Sequence, residues 1–327
     1  MNRKGVTEGI KPHIQEEHFL KGSAYYCPNI RKEGIKMRCA AIDIGTNSCR
    51  LLIAEVINNR ISRVCMKIDT TRLGESLLTT GVLSSSAIER TTRSLMEFKN
   101  LADRYEVKTC TAVATSAVRE ASNSGEFITY ARSRVGIPIQ IINAQEEAKL
   151  SYLGVIKGLS FALPPAVLDL GGGSTEFILD QGFITSLPIG AVKATELSMS
   201  VMDISATISK SEIVQYKDKI RDNPLVFVGG TATSMVAVKQ AMEVYDRELI
   251  HGQVLTRREV ADLYNMLERM PLNLRKRLPG LQAERADIIP KGALIILLLM
   301  DFLGKEEIIV SESDLLEGII WQAIDDS

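Results

Sequence analysis

The chain has little of what marks several common classes of protein. Its longest apolar run, Ala293 to Met300, is flanked by Lys291 and Asp301 and falls well short of the roughly 20 residues a bilayer span needs. It reads as a buried core element, and no membrane partner is expected. The first ten residues carry charge and lead into no apolar stretch with a small-residue cleavage site, so nothing points to secretion and a cytoplasmic location is expected. Cysteine is sparse and odd in number: Cys27, Cys39, Cys49, Cys65 and Cys110 include no CxxC pair, which argues against a disulfide framework or a zinc ribbon. Histidine is rarer still. His13, His18 and His251 form no HExxH pattern, so a histidine metal centre is not expected. Nor does charge of one sign predominate, with 39 Lys and Arg against 40 Asp and Glu. No global field draws the chain to DNA or to an anionic surface, and any polyanion must be met by a local site.

What is present is an ordinary globular composition in a chain of 327 residues, more than a single core usually holds, so two domains are expected. Strand-like apolar runs fall near 39–44, 50–57, 109–114, 138–142, 166–170, 176–180 and 225–228, with helical patterns between them. That alternation is the signature of an α/β fold with mixed sheets. Ser84 to Tyr105 opens on a serine cluster and repeats apolar residues at Ile88, Leu95, Phe98 and Leu101, which predicts an amphipathic helix over one face of a sheet. Ser209 to Asp222, Thr256 to Glu268 and Asp314 to Ile324 read the same way. Residues 1–36 hold no sustained period and precede a second methionine, Met37; they read as a polar, dispensable leader. A first lobe is then expected over 37–150 and a second over 151–327, divided among the punctuation of Gly154, Gly158 and Pro164-Pro165. The last helix is expected to pack back on the first lobe.

An internal repeat carries the chemistry. The stretch Ala41 to Ile53, AIDIGTNSCRLLI, aligns on Val167 to Leu179, VLDLGGGSTEFIL, at a constant offset of 126 residues. Apolar, Asp, Gly and Ser positions match. Each copy reads as a strand ending in Asp, a turn of glycine and small polar residues, and a second strand. In such a turn, glycine lets the backbone approach an anion closely, and successive N–H groups form a concave donor site for phosphate. Gly45, Thr46, Asn47 and Ser48 in the first copy, and Gly171, Gly172, Gly173, Ser174 and Thr175 in the second, are therefore candidate phosphate ligands. Asp43 and Asp169 would face one cleft from opposite sides, a pair suited to Mg²⁺, which keeps much of its hydration and bridges to substrate phosphates. For a single copy, a strand followed by a tight turn is the simpler account; two copies in register, each with Asp and Ser, favour phosphate binding. The GxxxxGK[ST] cradle is absent, so a P-loop enzyme is not expected. Val226 to Thr233, VFVGGTAT, adds Gly229, Gly230 and Thr231 at a strand-to-helix turn, where unpaired N–H groups would meet an anion.

These motifs resemble the exopolyphosphatase and guanosine pentaphosphate phosphohydrolase family, within the actin-like ATPase fold superfamily. The resemblance rests on AIDIGTNSCRLLIAEV at 41–56, TRLGE at 71–75, ATSAVREASN at 114–123, INAQEEAKLSYLGV at 142–155, LDLGGGSTEF at 168–177, FVGGTATS at 227–234 and RADIIPKGA at 285–293. It implies two actin-like, ribonuclease H-like lobes around a cleft. It also implies that Glu147 is the base that activates water, that Glu176 is a second acid near the attacked phosphorus, and that Arg50, Arg72 and Arg119 hold phosphate oxygens. Unaided, the residues read otherwise: Asn143 as a helix cap, Glu146 as an acid in the first turn and Glu147 as its solvated neighbour. Two departures stand out. The chain has no room for the extra C-terminal helical domains of longer family members, and Leu316 stands in SDLLEGIIWQA where arginine is more usual. Inorganic polyphosphate is the preferred substrate, guanosine pentaphosphate (pppGpp) the alternative, and a nucleotide-binding regulator with the same cleft the alternative of another class. A homodimer is implied by the resemblance only.

Overall fold

The computed structural model describes residues 24–26, 37–57, 60–180 and 183–325; Cys27, His13, His18 and most of the leader lie outside them. Among the described residues twelve strands form two six-stranded mixed sheets. The first contains β1 (Ala24–Tyr26), β2 (Met37–Ile44), β3 (Cys49–Ile57), β4 (Arg60–Asp69), β5 (Thr109–Ala114) and β6 (Ile139–Ile141), in the order β1-β4-β3-β2-β5-β6. The second contains β7 (Ala166–Leu170), β8 (Thr175–Leu179), β9 (Phe183–Leu187), β10 (Leu225–Val228), β11 (Gln253–Thr256) and β12 (Glu307–Val310), in the order β11-β12-β10-β7-β8-β9. Both sheets follow one plan. The strand that carries Asp is central, followed on one side by two antiparallel strands, β3 and β4 or β8 and β9, and on the other by two parallel strands, β5 and β6 or β10 and β12; β1 and β11 extend one edge of each sheet, each antiparallel to its neighbour. The sequence repeat is thus a repeat of topology, and the two-lobed α/β fold with mixed sheets stands as expected.

The central strands are buried on both faces because helices cover both. On the first sheet, Phe98 and Leu95 of α1 (Ser85–Arg104) and Phe127 of α2 (Ser124–Val135) close one face with Ile42, Leu51 and Ile53. Ser84 caps α1, its side chain accepting from Ala87 N–H, as its Ser-rich start implies. The other face of this sheet is covered by α7 (Leu315–Asp325), the last helix of the chain, through Leu315, Leu316, Ile319 and Ile320. The second sheet buries its outer face under α4 (Gly230–Lys239) and α6 (Ile289–Leu303). Its inner face is covered by Ala148, Tyr152 and Val155 of α3 (Ala144–Gly158), a helix that follows the last strand of the first sheet. Each half of the chain therefore ends in a helix that packs on the sheet of the other half.

The expected helix at Ser209 to Asp222 is not formed. Residues 201–209 are helical, Glu212–Tyr216 is a single 3₁₀ segment, and turns follow. Only Ile213 and Ile220 are buried there, so the seven charged side chains from Lys210 to Asp222 leave too narrow an apolar stripe to hold a further helix. Thr256 does cap α5 (Arg257–Arg269) through a reciprocal box with Glu259. Among the described residues no helix is long and apolar enough to cross a membrane.

Candidate active site

In each sheet the Asp-ending strand turns sharply into its antiparallel partner, and the two turns are built alike. Gly45 N–H donates to Ser48 O at 3.0 Å, and Gly171 N–H donates to Ser174 O at 3.0 Å. The cross-strand partner of Asp43 is Arg50, and that of Asp169 is Glu176. The turns then meet. A Cβ at Gly172 would lie 3.0 Å from Thr46 Cβ, and one at Gly173 would lie 2.4 Å from Ser116 Oγ. Only glycine permits the two lobes to approach this closely.

One cavity results, lined by Asp43, Gly45, Thr46, Asn47, Ser48 and Arg50 from the first lobe and by Asp169, Gly171, Gly172, Gly173 and Ser174 from the second. Gly229, Gly230 and Thr231, at the start of α4, line it too, as does Glu147. Asn143 and Glu146 form a reciprocal capping box that starts α3, which leaves Glu147 to face the cleft from the first turn. It is not solvated: its side chain is 12% exposed and Arg119 Nη1 donates to its Oε2 at 3.0 Å. Burial, then the charges of Glu176 and Asp169, push the Glu147 carboxyl well above its usual pKa, against the pull of Arg119. Burial likewise raises Glu176, whose Oε1 accepts from Ser186 Oγ at 2.9 Å. Asp169 is raised to about 7, first by burial and then by Glu176.

Four predicted residues stand elsewhere than in the cavity wall. Thr175 is fully buried and donates its hydroxyl to Ile189 O at 2.7 Å; strand alternation turns it to the opposite face from Ser174, so it is no phosphate donor. Arg72 is also corrected. Its guanidinium takes both oxygens of Asp287, at 2.8 and 3.1 Å, and Glu284 O at 2.7 Å, tying the lobes together. What the TRLGE stretch gives the site is backbone: Arg72 N–H donates to Asn47 O and Gly74 N–H to Thr46 O, strapping the first turn in place. Arg119 and Glu176 stand behind the wall and reach it through Glu147 and Asp169.

Other cleft residues were not legible as such. Asp314, Glu312, Tyr245 and Arg285 line the cavity, delivered by segments far apart in sequence. Asp314 accepts from Arg50, which also donates to Asp43 Oδ2 at 2.9 Å. Burial works against the Arg50 charge, but Asp314 and Asp43 together outweigh it. Arg285 lies against Gly230, where a Cβ would meet its Nη1 at 1.3 Å. Its Nε is buried without a hydrogen-bond partner among the described residues.

The donor set suits a hydrated divalent cation. Asp43 Oδ1 is buried and unpartnered, burial raises the Asp43 carboxyl, and Asp169 has one oxygen held by Ser151. Among the described residues no group of three or more His, Cys, Asp or Glu could enclose a metal. Two carboxylates with open positions fit Mg²⁺, which keeps waters and takes substrate phosphates as ligands. Charge argues the same way, since the carboxyls of Asp43, Asp169, Asp314, Glu147 and Glu176 outnumber the guanidinium groups of Arg50, Arg119 and Arg285.

The Ppx/GppA phosphatase family matches residues 52–326 of the chain. The bifunctional 3-dehydroquinate synthase/phosphatase of Fusobacterium nucleatum subsp. nucleatum is 34% identical, covering 96% of this chain and 50% of its own length, so the chain spans half of that relative. Exopolyphosphatase 2 of Mycobacterium tuberculosis is 33% identical over 86% of this chain and 97% of its own. Among solved structures, the Ppx/GppA family member of Aquifex aeolicus is 31% identical with a TM-score of 0.71, covering 89% of this chain and 98% of its own.

Proposed function

Since the chain belongs to the Ppx/GppA phosphatase family, we propose that it hydrolyses terminal phosphoanhydride bonds, releasing orthophosphate from inorganic polyphosphate. The observation that carries this reading is the single cavity in which both glycine turns face one another beside Glu147. The turn N–H groups, Ser48 and Ser174 would cradle the terminal phosphate. Arg50 and Arg285 would take its outer oxygens, a task for which the guanidinium fork is well shaped. Arg119 fixes Glu147 Oε2 and leaves Oε1 to accept a proton from water as its oxygen bonds to phosphorus and the bridging P–O bond breaks. A carboxyl raised by burial is a stronger base than a solvated one. Asp43 and Asp169 would hold Mg²⁺, which when bound neutralises phosphate charge. Catalysis would come mainly from positioning and electrostatics.

Guanosine pentaphosphate is the second reading, favoured by Met66, Ile68 and Tyr245 along the same cavity, an apolar flank against which a base could lie. A cytoplasmic location is part of this proposal, supported by Cys39, Cys49, Cys65 and Cys110, none of which is in a disulfide among the described residues. A homodimer rests on the family resemblance, and light scattering tests it.

Phosphate release should be measured from polyphosphate, pppGpp and ATP, with and without Mg²⁺, for wild type and Glu147→Gln. The expected result is Mg²⁺-dependent release from polyphosphate, with Glu147→Gln retaining binding and losing about 10²–10⁴-fold in rate. Near-normal turnover by that variant would remove Glu147 from its role; binding of ATP with no hydrolysis of any substrate would favour a nucleotide-binding regulator.

A further inference from the structure

Arg50 is held from two sides, by Asp43 on its own sheet and by Asp314 from the other end of the chain. Asp314 has no rigid strand beneath it. It lies between β12 and α7, on the segment Ser311 to Asp314, and its position depends on what clamps that segment. Arg247, on the short helix Arg247–Ile250 of the second lobe, is one clamp, beside Arg63 on Ser313 and Tyr245 and His251 on Glu312. Its Nη2 donates to Glu312 O at 2.6 Å. Its Nε lies 3.0 Å from Glu312 Oε2, an ion-pair distance without hydrogen-bond alignment. Its Nη2 also lies 3.4 Å from Glu317 Oε1. Glu317 Oε2 in turn accepts from Asp314 N–H at 3.2 Å, while Asp314 Oδ1 accepts from Leu316 N–H at 3.0 Å. The remaining oxygen, Asp314 Oδ2, faces Arg50.

We infer that Arg247 is a positioning residue for phosphate binding, acting on Arg50 through Glu312, Glu317 and Asp314 without touching substrate. Arg247 forms no part of the cavity wall, yet its side chain is 14% exposed and its two acidic partners 6% and 5%, so the network is dry enough to transmit a shift. Arg63 shares Glu317 and donates to Ser313 Oγ at 3.0 Å, but it makes no contact with Glu312. Both arginines grip the segment before Asp314 and the helix after it, Arg63 through Ser313 and Glu317 and Arg247 through Glu312 and Glu317; Arg247 is the one that pairs with Glu312. With Arg247 gone, Glu312 would keep the hydrogen bonds from Tyr245 Oη and to His251 Nδ1 but lose its cation, and the loosened segment would shift Asp314 relative to Arg50. The inference rests on the reading of Arg50 as a phosphate ligand, and the test separates the two.

The test is a double-mutant cycle on kcat/KM for polyphosphate with Mg²⁺, with far-UV dichroism as the check on folding. Arg50→Met alone is expected to raise KM and lower kcat/KM at least about 10-fold. Arg247→Met is expected to lower kcat/KM about 10-fold, since a displacement near 1 Å can cost 10²-fold. In the Arg50→Met background Arg247→Met should add less than about 2-fold, because residues acting through one group are not additive. Arg247→Lys, whose ammonium cannot reach all three acceptors at once, should fall between wild type and Arg247→Met; it carries the cycle if the Met variant does not fold. Losses that multiply in the double variant, or an Arg247 variant as fast as wild type, would overturn the positioning role while leaving Arg50 in place. An Arg50→Met enzyme as fast as wild type would overturn both.

Discussion

Asp169 closes its strand with a carboxyl enclosed by protein, and its pKa is pushed up from an ordinary 3.8 to about 7, first by burial and then by the nearby charge of Glu176. The consequence for stability has a definite sign. Below about pH 4 the group is neutral in both folded and unfolded chains. Between about 4 and 7 the unfolded chain gives up a proton that the folded chain keeps, so the metal-free protein loses stability from this group as pH rises toward 7. Asp169→Asn keeps an oxygen for Ser151 and removes the titration. Thermal melts in chelator should therefore show a flatter pH dependence for Asp169→Asn, with a higher Tm than wild type at pH 8 and a large loss of Mg²⁺-dependent activity. A wild-type slope retained in the variant would mean that Asp169 does not titrate in this window. Here the site gives up stability for function: Asp169 is disfavoured by its burial, and it is one of the two acids that would meet a cation.

At the scale of elements, the start of α4 separates two kinds of glycine that look alike in the sequence. Gly229 adopts φ +94°, and a Cβ there would meet Leu170 O at 2.6 Å. Gly229→Ala should cost about 1–3 kcal/mol in unfolding free energy, the usual range for a side chain forced into that backbone region. Gly230 lies in the helix without a positive φ, and its obstruction is the far end of a side chain, the Arg285 guanidinium. Gly230→Ala should leave the denaturation midpoint nearly unchanged but raise KM for polyphosphate by displacing that guanidinium. Equal loss of stability in both variants would mean that Arg285 is fixed and structural. The hairpins, α1, α3, α5 and α7 were legible because apolar period, capping serines, threonines and asparagine, and glycine turns agree. Strand β4, with apolar residues on both faces, and strands β11 and β12, four residues each, carry too little pattern to announce themselves. The helix expected at Ser209 to Asp222 failed for want of an apolar stripe.

At the scale of the whole molecule, the cleft is made by two helices that change sides. The first turn of α3 presents Glu147, the segment entering α7 presents Asp314, and the two helices cross where neither tolerates a side chain. A Cβ at Gly318 would lie 1.9 Å from Leu150 O, and one at Gly154 would lie 2.1 Å from Asp314 O. Both obstacles are backbone, so a substitution must move a helix. Reading the repeat reveals that two similar turns exist, and the resemblance assigns Glu147; neither discloses that Asp314, 271 residues after Asp43 (314 − 43), closes on Arg50, because that depends on this crossing. Gly318→Ala should thus cost about 1–3 kcal/mol by overpacking and also lower kcat/KM at temperatures where the variant remains folded, although Gly318 lines no part of the cavity. Parallel measurement of the melting curve and of polyphosphate turnover distinguishes the two effects. A destabilised variant with full kcat/KM while folded would show that the acids are positioned within each lobe alone, and that the crossing serves stability only.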